Sequence, residues 1–182
     1  MQYGPQSVPE KTEYLLIILS RIPYTGTEFE SAQSRRAQAQ GSFPSSCMET
    51  AKALSLLRAN KSELSPSYIN ILETRQDDNG LVPAGFLIYT FMTWCPGVPL
   101  LAKDYNSKPK EERDTIRHAF KEAWDDAKRC GVVNRSPSEG DLLWDAPNKK
   151  CHLVDFKEWS PPIPSDIDPK YEDWGLVELI DY

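Results

Sequence analysis

The feature that most constrains this chain is the stretch from about Lys110 to Cys130. Here Ile116, Ala119, Phe120, Ala123, Trp124 and Ala127 recur at helical spacing while charged residues fill the positions between them. Such a stripe marks a long amphipathic helix that must bury one face. Gly131 follows as a natural stop. A lone helix of this kind needs a partner layer, and the rest of the chain supplies mostly strands.

Tyr14 to Ile22 (YLLIILSRI) is short, apolar and closed by Pro23, which reads as a buried strand. Thr25 to Pro44 is polar and rich in Ser, Gln and Ala, a loop or loosely held helix. Ser45 or Ser46 is placed to cap a helix over Met48 to Ala59. Ser67 to Arg75 alternates as a strand does, and Asp77-Asp78-Asn79-Gly80 predicts a tight hairpin turn, because Asn-Gly tolerates positive φ. Ala84 to Trp94 (AGFLIYTFMTW) follows as the strongest strand pattern. Leu142 to Trp144 and His152 to Phe156 are two short strands around the turn Asp145 to Lys150, and a closing helix is expected near Trp174 to Ile180. The order is strand, helix, strand, strand, helix, strand pair, helix, which is an α+β pattern without internal repeats.

With 182 residues the chain suits one domain. It is 40% hydrophobic and 26% charged, the profile of a globular protein. A net charge of -6 gives no basic surface for nucleic acid or anionic membrane. The longest apolar run is far too short to cross a bilayer, and the N-terminus is polar, so the expected place is the cytoplasm. The four cysteines are widely spaced and the two histidines form no zinc pattern, so reduced, mostly buried thiols are expected.

The informative stretch for chemistry is Gly131 to Trp159 (GVVNRSPSEGDLLWDAPNKKCHLVDFKEW). A long helix ends, a polar loop follows, and two strands lead to an aspartate and a phenylalanine. This resembles the catalytic loop and metal-binding segment of protein kinases and of the aminoglycoside phosphotransferase group. In the resemblance Asn134-Arg135-Ser136 stands at the His-Arg-Asp position, and Asp141 falls where the family has its metal-binding Asn. Asp155-Phe156-Lys157 matches the Asp-Phe-Gly triplet, with Lys157 replacing Gly. The run FLIYTFMTWCPGVPL is similar to the last N-lobe strand and its exit.

The resemblance implies a protein-kinase-like fold with a reduced N-lobe sheet (1–94) and a minimal helical C-lobe (95–182). It implies Mg2+ and ATP as cofactors, with Asp141 and Asp155 as metal ligands and Arg21 and Glu49 as cofactor-binding residues. The departures point away from turnover. The strand before Glu49 has Arg21 as its cation and no lysine, and arginine is a planar fork rather than a compact phosphate ligand. Only about a dozen residues precede Tyr14, so most of a Gly-rich loop is expected to be missing. Ser136 replaces the base, and a hydroxyl has no useful basicity near neutral pH.

Three classes of function follow: a degenerate kinase-like module whose interlobe cleft binds a small molecule or protein partner, an active phosphotransferase with an unusual base, or unrelated chemistry in the same cleft. For the third, Cys130, His118, Glu139 and Asp141 are the nearby acid-base or nucleophilic groups. Trp174, Leu176, Leu179 and Ile180 are expected to close the core or, if exposed, to form a partner surface.

Overall fold

The computed structural model describes residues 13–39, 41 and 43–177. Three strands near the N-terminus, β1 (Tyr14–Ser20), β2 (Tyr68–Arg75) and β3 (Phe86–Thr93), form an antiparallel sheet in the order β1-β3-β2. Between β1 and β2 lie a short helix, α1 (Ala32–Arg36), and the longer α2 (Ser45–Ala59). The chain leaves β3 through Trp94–Gly97 into the two-residue β4 (Val98–Pro99), then passes α3 (Ala102–Asn106) into α4 (Lys110–Arg129). Next come β5 (Val133–Asn134), β6 (Leu142–Asp145), β7 (Lys150–Leu153) and β8 (Trp159–Ser160), and a 3-10 turn at Tyr171–Trp174. The order β4-β6-β7 makes a second small sheet, and β5 pairs with β8. The architecture is α+β.

α4 is the organising element of the C-terminal half. All six residues of its expected stripe are buried, and Phe120 packs against Tyr171 and Trp174 with ring centroids 5.4 and 5.1 Å away. Its N-terminal turn carries Glu111 and Glu112 and its last turn Lys128 and Arg129, which matches the helix dipole at both ends. Gly131 takes φ 88° and ends it. The C-terminal end of α2 is tied to the end of α4: Ser62 Oγ donates to Asp126 at 2.6 Å, and Arg129 Nη1 donates to the Asn60 carbonyl at 3.0 Å. Trp174 and Leu176 are buried in the same core, so they form no partner surface, while Leu179 and Ile180 lie outside the described residues.

Several local expectations are corrected. β1 is an edge strand with both faces partly open, not a buried one: Leu16 and Ile18 are 43% and 56% exposed. Ser45 lies inside α2, whose N-cap is Pro44 with no side-chain cap bond. The β2–β3 connection runs from Gln76 to Gly85, so Asp77–Gly80 is only its first bend, and the positive φ falls on Ala84 at 63°. β7 ends at Leu153, which leaves Asp155 and Phe156 beyond the strand. Of the closing helix expected near Trp174 to Ile180, Gly175 to Val177 is not helical and follows a 3-10 turn at Tyr171–Trp174, while residues 178–180 lie outside the described residues.

Candidate functional site

A cleft of about 510 Å3 lies between the β1–β3 sheet and the β6–β7 hairpin. Strand alternation builds its roof: β1 and β3 pair so that Leu15, Ile17 and Leu19 register with Met92, Thr90 and Ile88. Of these, Leu15, Ile17, Leu19, Thr90 and Met92 line the cleft. The back wall is the segment after β3, where Trp94, Cys95, Gly97 and Pro99 contribute. Gly97 is required there. Its φ is 108°, and a Cβ would lie 2.7 Å from the Trp144 carbonyl carbon and oxygen. Leu143 and Val154 form the floor, with Cys47 and Thr50 of α2 at one side. Burial pushes the Cys95 thiol up to about 12, which makes it inert.

Two carboxylates, Asp141 and Asp155, also line the cleft. Asp141 is buried, and its two oxygens accept from the Ser138 backbone N–H at 2.8 Å and the Ser138 hydroxyl at 3.0 Å. Burial raises its pKa and the Asp155 charge adds to the rise, against the two Ser138 hydrogen bonds. Asp155 is presented by its neighbour: Phe156 is fully buried in the core and anchors the chain at that point. Lys157 closes on Asp155, donating from its backbone N–H at 3.0 Å and from Nζ at 2.5 Å. That hydrogen bond, together with the carboxylate charge, raises the Lys157 pKa.

The loop between β5 and β6 is held from the side. Asn134 donates from Nδ2 to the Asp155 carbonyl at 2.9 Å and accepts from the Ser136 N–H at 3.0 Å. Arg135 makes a bidentate pair with Asp166 at 2.7 and 2.8 Å, and the guanidinium holds the Asp166 carboxyl down at about 2. Ser136 is exposed and is not among the residues lining the cleft.

The structure brings Asp141 and Asp155 to the lining of one cavity, and Arg21 and Glu49 are not among the residues that line it. The Glu49 carboxylate pairs with Lys52 at 2.6 Å, and its carbonyl accepts from Trp159 Nε1 at 2.8 Å. The Arg21 guanidinium sits 5.0 Å from the Tyr24 ring centre. Of the acid-base set Cys130, His118, Glu139 and Asp141, only Asp141 lines the cleft; Cys130 is buried at the end of α4 and His118 faces Glu122 on the exposed side of that helix.

Reading the sequence for chemistry missed the three β1 residues that line the roof and the Ser138 clasp on Asp141. The signal for the first was present as strand alternation within an apolar run; Ser138, three residues before Asp141, is a common local-turn spacing. Among the described residues no group of three or more His, Cys, Asp and Glu is placed to hold a metal ion, and no helix is long and apolar enough to cross a membrane.

No protein-family model matches the chain, and no curated protein matches it in sequence. In structure it is similar to the Cydia pomonella granulovirus kinase PK-1, with a TM-score of 0.48 and 14% identity, over 84% of this chain and 45% of that one. It is also similar to Rv3197 in the Rv3197–erythromycin complex from Mycobacterium tuberculosis, with a TM-score of 0.43 and 16% identity, over 71% of this chain and 29% of that one. The chain therefore spans less than half the length of either structure.

Proposed function

We propose that this chain is a kinase-like binding module whose cleft holds a ligand and which does not transfer phosphoryl groups efficiently. The observation that carries the reading is the roof of the cleft. The three positions of β1 that face it are Leu15, Ile17 and Leu19, so hydrocarbon stands where a phosphate ligand on that strand would need a cation. Among the described lining residues Lys157 is the one cation, and it is bound to Asp155. Ser136 supports the same reading, since an exposed hydroxyl outside the cleft lining is no general base.

One observation favours a second reading, an active phosphotransferase with an unusual base. Asp141 and Asp155 line one cavity, and the charge of one disfavours ionisation of the other. A hard divalent cation relieves that repulsion, and oxygen donors are the right type for magnesium, so these two residues fit the ion. They would hold it, and it would supply charge neutralisation for a bound phosphate.

Calorimetric titration with ATP, with and without magnesium, on the wild type and Asp155→Ala separates the readings. The binding-module reading expects at most weak, magnesium-insensitive heat and no ATP hydrolysis. Tight magnesium-dependent binding that disappears in Asp155→Ala, together with turnover, would sink it and install the second.

A further inference from the structure

The cleft combines two unlike surfaces. Its roof and floor are hydrocarbon, from Ile17, Leu19 and Met92 above and Leu143 below. Its ionic groups are two carboxylates against one ammonium, a net excess of one negative charge among the described lining residues. Lys157 is hydrogen-bonded to Asp155 by two contacts and its charge also reaches Asp141, whose own hydrogen bonds come from the neutral donors of Ser138. Asp141 is therefore a buried carboxylate that shares one ammonium with Asp155 and makes no direct ion pair, which is costly in a low-dielectric site. An incoming cation gains most there, because attraction between opposite charges strengthens as water is excluded. An incoming anion meets the reverse. The volume, about 510 Å3, is in the range of small-molecule sites rather than of an extended macromolecular surface.

We propose that the occupant of this cleft is an apolar small molecule bearing one protonated amine, its hydrocarbon between Ile17 and Leu143 and its cation on Asp141. This rests on the cleft being a ligand site, as argued above, and adds the chemical class of the ligand. The lining selects by charge: hydrocarbon contact supplies affinity, and Asp141 discriminates between ligands of equal shape.

Three fluorescent probes of one ring system test this: aminoacridine, a cation at mildly alkaline pH, acridine, which is neutral there, and acridine carboxylate, an anion. Titrated into the full chain, aminoacridine is expected to bind about tenfold tighter than acridine, a difference of about 1.4 kcal/mol, and acridine carboxylate weaker than both. Asp141→Asn removes the advantage of the cation and leaves acridine unchanged. Should that variant fold poorly, Ile17→Lys places a cation on the cleft at a position 46% exposed to solvent, and the order is expected to reverse. Carboxylate binding as tight as the amine, or an order that neither variant moves, overturns the assignment of ligand class. If the acridines bind without a charge order, the cleft remains a ligand site and only the class is lost, and the class is lost equally if no acridine binds. Tight magnesium-dependent ATP binding with turnover in the same samples instead sinks the binding-module reading.

Discussion

The two halves of the molecule spend their apolar residues differently. In the C-terminal half, α4 and the β6–β7 hairpin close on each other: Ile116, Phe120, Leu142, Leu153 and Phe156 are at most 2% exposed. In the N-terminal sheet the residues are as hydrophobic, yet Leu16, Ile17, Ile18, Leu19 and Leu72 are all 40% exposed or more. One side of β1 faces the cleft and the other faces outward, and neither is sealed. The same residue types thus make a core in one half and a wall in the other. Stability resides where apolar faces are mutually covered, and binding capacity where one has been left open.

The largest test of that contrast is Phe120→Ala. Phe120 is fully buried and its ring lies against Tyr171 and Trp174, so truncation leaves a cavity between α4 and the C-terminal segment. A loss of about 3–5 kcal/mol in chemical denaturation is expected. A loss under about 1 kcal/mol would mean that the C-terminal half is loosely packed. Gly97→Ala probes the seam between the halves. The new Cβ meets backbone rather than a movable side chain, at a φ that L-residues avoid, so about 1–3 kcal/mol should be lost. Because Gly97 lines the cleft, probe binding should weaken as well.

The contrast also explains what the sequence made legible. α4 is readable because its apolar and charged positions segregate at helical spacing, and each residue assigned to its face is buried. β1 is not, because a continuous apolar run looks the same whether its two sides meet a core or a cavity. Asp77–Gly80 has turn chemistry, yet the length of the loop is set by how Gln76 and Gly85 pair, and the left-handed residue is Ala84. Asp141 and Asp155 are paired by the resemblance and not by their separation along the chain; the β6–β7 hairpin that lies between them brings both to the lining of one cleft. Arg21 and Glu49 carry long side chains whose direction depends on neighbours, Tyr24 for one and Lys52 for the other, and no spacing rule anticipates that.

A subtler difference concerns acid. His152 on β7 is buried, and neither ring nitrogen has a hydrogen-bond partner among the described residues. Burial lowers its pKa; the Asp145 charge opposes this and the Lys150 charge adds to it. The unfolded chain then takes up a proton near pH 6.5 that the folded chain refuses. The contribution is absent as a penalty above that pH and grows as pH falls from about 6.5 toward the lowered folded value, so stability declines on the acid side. His152→Leu should flatten this part of the stability–pH profile. An unchanged slope would show that the imidazole is solvated.

The smallest expected effect is the most informative about the sheet. Ile18 is 56% exposed and lies opposite Tyr89 on the side of β1 turned away from the cleft. Ile18→Thr keeps the β-branched shape that suits a strand and removes only part of an apolar surface already in water. A change within about 0.5 kcal/mol is expected, with ligand-probe affinity untouched, because Leu15, Ile17 and Leu19 alone project to the cleft from β1. A loss of more than about 1 kcal/mol, a size that surface substitutions rarely reach, would mean that something covers this face in solution. The sheet would then be a second closed layer, and the division between a sealed half and an open one would fail.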